Sequence, residues 1–186
     1  MNLLDLDARW RRFHDEERAC PCCGRRFNGV FDIGFEHPDA WPHGPLPEGE
    51  TEMQAGEDKL GQDLCRLGER RFIRAILPLP IRGSDEVFHF GTWAEVAADP
   101  FYAYIDACFG EGAFDGCDAV LDNALPGFEA ELGAACTLQP GPDGQRPRLT
   151  AQDGPLREAQ ETGISFDDLL DIYAASGSDI RPHLAA

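Results

Sequence analysis

The clearest pattern of apolar and polar positions lies between Leu64 and Val96. In Arg71–Leu77 (RFIRAIL), Phe72, Arg74 and Ile76 fall on one face of a strand and Ile73, Ala75 and Leu77 on the other. The second face is wholly apolar and should meet the core. Pro78 and Pro80 are two apart, so both missing N–H groups lie along one strand edge, which cannot be paired there. Residues 82–86 (RGSDE) form a turn cluster, and Val87–Trp93 (VFHFGTW) reads as the return strand of a hairpin. Gly91 within it suggests a bulge or a close backbone approach.

Other elements follow from spacing. Leu3, Leu6, Trp10 and Phe13 recur at three- and four-residue intervals and predict an amphipathic helix over residues 2–18, within an N-terminal segment 1–19. Asn28–Phe35 predicts a short strand. Residues 37–61 are rich in Pro, Gly and Glu and read as a long loop anchored by Trp41. Trp93–Phe109 reads as helical, interrupted or restarted at Pro100. The glycine-rich stretch 110–127 has no Lys, Ser or Thr placed for a phosphate loop, and Asp115, Asp118 and Asp122 lack a calcium-loop signature. Ala134–Leu138 and Arg148–Ala151 predict strands flanking a loop with an Asp143-Gly144 turn pair. Pro155–Thr162 predicts a short helix opening on proline. Ser165–Ser176 predicts a helix capped by Ser165, with Phe166, Leu169, Leu170 and Tyr173 as its buried stripe. Residues 177–186 are expected to form a flexible tail.

Strands and helices do not alternate regularly. The pattern therefore predicts an α+β fold with a mainly antiparallel sheet, a central hairpin and packing helices, as one domain over residues 20–176. A chain of 186 residues suffices for one sizeable core.

Charge changes the picture. The formal net charge is −18, and 15 of the 16 basic residues are Arg. Residues 1–60 carry seven basic against thirteen acidic residues, residues 61–110 five against seven, and residues 111–186 four against fourteen. Such a field disfavours nucleic acid and anionic membranes, and favours a basic protein partner or simple solubility. No apolar run is long enough for a membrane span, and the acidic start lacks an export pattern, so a cytoplasmic protein is expected.

Seven cysteines in such a chain suit thiols or metal ligands better than a disulfide framework. Cys20-Pro21-Cys22-Cys23-Gly24 contains a C-P-x-C-G knuckle: Cys20 and Cys23 can grip one tetrahedral Zn²⁺, with Gly24 permitting the turn. Cys65 is the candidate third ligand, and His37, His43 or Cys22 the fourth. The alternative is that these are thiols without metal. His89 lies within a strand and is read as a hydrogen-bonded, half-buried histidine rather than a base or ligand.

The run Asp63-Leu64-Cys65, then RFIRAILPLPI, Ser84-Asp85-Glu86 and FHFGTW, resembles the uncharacterised bacterial domain-of-unknown-function family 2199. The knuckle, Leu125-Pro126-Gly127-Phe128, Leu138-Gln139-Pro140-Gly141 and Gln145-Arg146-Pro147 extend the resemblance over residues 20–175. It implies a shared fold and no known activity. It also implies a histidine four residues after the knuckle's second cysteine, where this chain has Phe27.

No nucleophile–base–orienter set, H-E-x-x-H, P-loop or dinucleotide fingerprint is present. The expectation is a non-enzymatic protein that binds another protein through an acidic surface, with zinc on Cys20, Cys23 and Cys65. The alternative is a small zinc metalloprotein, or an enzyme whose site gathers around His89 and these thiols.

Overall fold

The computed structural model describes residues 2–142 and 144–185. Asp143 of the expected turn pair and the two terminal residues lie outside the described residues. The fold is α+β with a nine-stranded, mostly antiparallel sheet and five helices among the described residues.

Strands β1 (Ile33–Gly34), β2 (Glu52–Ala55), β3 (Asp58–Gly61), β4 (Leu64–Leu67), β5 (Arg70–Pro80), β6 (Val87–Val96), β7 (Cys117–Leu121), β8 (Ala135–Gln139) and β9 (Arg148–Ala151) run in the spatial order β1-β6-β7-β8-β9-β5-β4-β3-β2. Because β5 also pairs with β6 along ten residue pairs, β5 to β9 close on themselves as a small barrel. The seam is the parallel contact Ile76↔Arg148. The β2–β3–β4 hairpins extend from β5 as a wing, and β1 lies parallel to β6. Helices are α1 (Ala8–Phe13), α2 (Ala98–Cys108), α3 (Gly154–Thr162), α4 (Phe166–Ala175) and α5 (Arg181–Leu184). No helix of the described residues is long and apolar enough to cross a membrane.

The central hairpin matches its sequence. Ile73, Ala75 and Leu77 are fully buried in the main core. The even-numbered backbone groups of β5 face away from β6. The N–H groups of Arg74 and Ile76 donate to the carbonyls of Asp63 and Pro147. Pro78 and Pro80 fall on the same edge just past β9. Their carbonyls accept instead from the Gln160 side chain and the Ile164 N–H. The two prolines therefore sit where the ladder has no neighbouring strand.

Several expectations are corrected. The helix over 2–18 is a 3₁₀ turn, Leu3–Leu6, followed by the short α1. Asp7 is extended and caps α1 by accepting from the Arg9 N–H at 2.8 Å, which breaks the helix in two. The long loop 37–61 carries β2 and β3, whose exposed Glu, Gln and Lys hide the strand pattern. The strand expected over 28–35 shrinks to β1. Trp93 and Val96 belong to β6, not to a helix, and Pro100 lies in the first turn of α2, where its missing N–H costs nothing. Strand β7 lies in the glycine-rich stretch that reads as loop, with Ala119 and Leu121 inward and Asp118 and Val120 outward.

Segment 177–186, expected as a flexible tail, carries α5. Ile180 and Leu184 are fully buried, so two apolar anchors dock it on the core. Helix α4 matches expectation, with a capping box between Ser165 and Asp168. Its Tyr173 stacks on Phe31 at 4.0 Å between ring centroids. The Tyr173 hydroxyl donates to the Phe31 carbonyl at 2.8 Å and accepts from the Phe31 N–H at 3.1 Å. Tyr173→Phe should therefore cost about 1–3 kcal/mol, read by urea unfolding, because it strands both backbone groups. A loss within experimental error would show that water replaces the hydroxyl there.

Candidate metal centre

After α1 the chain turns through residues 15–19 and enters the knuckle. The Cys20 N–H donates to the Arg25 carbonyl, and the Gly24 N–H donates to the Cys20 carbonyl, each at 2.8 Å. Gly24 adopts φ +72°, a left-handed conformation that a side chain would disfavour. This folding turns the three thiols toward one point.

The fourth side chain comes from 160 residues further along the chain. His183 Nδ1 lies 3.3 Å from Cys20 Sγ, 3.4 Å from Cys23 Sγ and 3.9 Å from Cys22 Sγ. Cys20 and Cys22 sulfurs are 3.0 Å apart. All four ligand atoms fall within 4.8 Å of one another, close enough to hold one metal ion. A tetrahedral ion with bonds of about 2.3 Å to sulfur and 2.0 Å to nitrogen needs donor separations of roughly 3.5–3.8 Å, so only small adjustments are required.

The surroundings hold α5 in place. Arg12 donates to the Leu184 carbonyl at 2.9 Å, and Arg18 to the His183 and Ala185 carbonyls at 2.9 and 3.2 Å. These are the unpaired carbonyls at a helix C-terminus, where cations are favoured. At the other end, Arg181 pairs with Asp179 and Asp171. Phe27, standing where the resemblance implies a histidine, is buried and packs its ring 5.9 Å from that of His183. The aromatic side chain thus props the imidazole that reaches the thiols.

Electrostatics make Cys20 the first thiolate. Hydrogen bonds from Cys22, from His183 and from the Cys22 and Cys23 backbone lower its pKa to about 6. The Cys22 thiol, which shares its proton with Cys20, is pushed up to about 11. Cys20 is buried, and Cys22 and Cys23 are exposed.

Cys65 stands apart from this cluster. It lies in β4, 1% exposed, packed among Trp41, Leu60, Phe72 and Trp93. Burial, reinforced by the charges of Asp58 and Asp122, pushes its thiol up to about 12. Of the candidate ligands, Cys20, Cys23 and Cys22 lie together, and they are joined by His183, which the sequence did not mark, while Cys65 lies elsewhere. His37 hydrogen-bonds the Pro38 carbonyl, and His43 pairs with Asp58 at 2.9 Å, both away from the thiols. His89 is half-buried, and its Nδ1 lies 3.3 Å from Asp32. His89 lines neither of two surface clefts. One cleft, of about 470 Å³, runs between α3 and α4; the other, of about 950 Å³, runs along α2.

Residues 19–164, most of the chain, match the family described as an uncharacterized protein conserved in bacteria (DUF2199). The chain belongs to this family. The match covers the three cysteines and stops before His183. No curated protein and no solved structure matches the chain.

Proposed function

We propose that this DUF2199 member is a zinc-stabilised binding protein, with one Zn²⁺ on Cys20, Cys22, Cys23 and His183. The observation that carries this reading is the convergence of four ligand atoms within 4.8 Å. Three thiolates and an imidazole suit Zn²⁺ better than hard cations, which prefer oxygen donors. Four protein ligands leave no open position for substrate or water, so the ion stabilises the fold and performs no chemistry. It fastens the knuckle to α5 and adds to the attachments that Ile180, Leu184, Arg12 and Arg18 give the short helix.

Elemental analysis with thiol counting tests this. Protein purified without chelator should carry one zinc per chain. With zinc bound, exposed Cys108 should react quickly with a thiol reagent, while Cys22 and Cys23 stay protected despite their exposure. Chelation should release Cys20, Cys22 and Cys23 to the reagent and leave Cys65 unreactive until the protein unfolds. Metal-free protein with Cys22 and Cys23 already reactive would overturn the proposal.

A further inference from the structure

Strands β3, β4 and β5 carry two parallel rows of side chains. Leu60, Cys65 and Phe72 are directly opposed across the three strands and fill the core under the wing. The adjacent row is Lys59, Arg66 and Arg71, likewise directly opposed and therefore on the opposite face of the sheet. Three cations in one cross-strand row repel one another, an arrangement that costs stability. It occurs in a chain with 34 acidic residues and only 16 basic ones.

Local carboxylates do not relieve the repulsion. Lys59 reaches Glu52 at 2.9 Å, but among the described residues neither Arg66 nor Arg71 has an ion-pair partner. Arg71 donates to the Gly68 and Arg70 carbonyls, and its Nε is buried without a hydrogen-bond partner among the described residues. Tyr102 of α2, 44% exposed, closes the end of the row, with the Arg71 guanidinium 6.0 Å from its ring centroid. Arg71 and Arg66 both lie beside its hydroxyl and lower its pKa.

We propose that the Lys59–Arg66–Arg71 row, with Tyr102 at its end, binds a compact phosphoryl anion of the diphosphate class. Neighbouring strands are about 4.8 Å apart, so the row spans roughly 10 Å and presents two guanidiniums without ion-pair partners, flanked by Lys59 in its pair with Glu52, to one small multivalent anion. Guanidinium forks match phosphoryl oxygens in pairs, and Lys59 adds a mobile point charge. The −18 charge of the whole chain repels any polyanion extending beyond the row, which selects a compact ligand over nucleic acid. Arg66 also lies two residues from Leu64 on the same strand face, and Leu64 lines the larger cleft along α2 with Tyr104, Ile105 and Phe114. That cleft is placed to receive whatever group the phosphates carry. The site is independent of the metal centre.

The test is calorimetric titration of the full chain with inorganic pyrophosphate, with zinc content measured afterwards to show that no metal is removed. Saturable binding is expected, weakened about tenfold or more in Arg66→Gln and again in Arg71→Gln. Without ligand, Arg66→Gln should melt at or above the wild-type temperature, because it relieves repulsion. Citrate serves as a carboxylate control and should bind more weakly. Absent pyrophosphate binding, binding unchanged in both variants, or equal binding of citrate would overturn the proposal. So would a lower melting temperature of ligand-free Arg66→Gln, which would make the row structural.

Discussion

Removal of the proposed zinc is expected to lower the melting temperature of this protein by roughly 8–16 °C. The estimate follows from linkage: a ligand present at about a thousand times its dissociation constant stabilises the native state by ~4 kcal/mol, and a domain of this size shifts by about 2–4 °C per kcal/mol. The chain should remain folded without metal, because none of the four candidate ligands lies in a barrel strand. Fully buried Ile73, Leu77, Phe88 and Phe90 of strands β5 and β6 belong to the main core. What should loosen is α5, which keeps Ile180, Leu184, the Arg181–Asp171 pair and the arginines on its last carbonyls.

Variants separate the metal's contribution from packing. His183→Ala should melt close to wild type when both are metal-free, and well below it when both are loaded with zinc. Cys23→Ser should behave likewise. Cys65→Ser should keep one zinc per chain yet lose about 1–3 kcal/mol, because it places a hydroxyl among Trp41, Leu60, Phe72 and Trp93. If His183→Ala costs the same with and without zinc, His183 acts by packing on Phe27 and is not a ligand. If Cys65→Ser abolishes zinc binding, the ligand set described above is wrong.

The metal centre shows where sequence reasoning runs out. The knuckle is legible because Cys, Pro and Gly at close spacing have a local mechanical meaning. The helix bearing His183 is only four residues long, and its two apolar anchors are too few to set up a period. Nothing local marks His183 as a ligand; tertiary docking alone brings it to the thiols. Cys65 misled for the converse reason. A cysteine in an apolar strand fits a core as readily as a metal site, and here its cross-strand neighbours Leu60 and Phe72 decide for the core. Arg12 and Arg18 gave no hint either: Asp15, Glu16 and Glu17 stand beside them in the sequence, yet both arginines reach the carbonyls of α5.

The same division holds across the sheet. The β5–β6 hairpin and α4 were readable because alternation, paired prolines and a capping serine each constrain one local geometry. Strand β7 was not, because its apolar positions Ala119 and Leu121 are outnumbered by flanking glycines and aspartates. Its pairing with β6 and β8 is what closes the barrel.

Asn123, just past β7, is expected to be the most costly polar side chain to remove. It is fully buried, with every hydrogen-bonding group occupied. Its Oδ1 accepts from the Thr92 hydroxyl and the Trp93 N–H, both at 2.9 Å. Its Nδ2 donates to the His37 carbonyl at 3.1 Å and to Asp39 at 2.9 Å. Asp39 in turn accepts from the Ala124 N–H at 2.7 Å, and the Ala40 N–H donates to Asp122 at 3.0 Å. One side chain therefore ties strand β6 to the loop that carries Trp41. Asn123→Leu keeps the branched shape and the number of side-chain heavy atoms but strands the Trp93 N–H and the Thr92 hydroxyl in an apolar core, each worth about 1–3 kcal/mol. With the two loop bonds also lost, the total should reach about 3–5 kcal/mol, or a melting temperature lower by roughly 10 °C. Burial of Trp41 depends on that loop, so its fluorescence should shift toward that of exposed tryptophan, and protease should cut within residues 36–50 before the barrel unfolds. Thr92→Val calibrates the network, because it removes one donor and leaves Asn123 three partners. Additive losses in the double variant would show that the two groups act separately; a smaller combined loss is expected for partners in one network. If Asn123→Leu costs no more than Thr92→Val and leaves residues 36–50 protected, the loop is held by Trp41 packing alone.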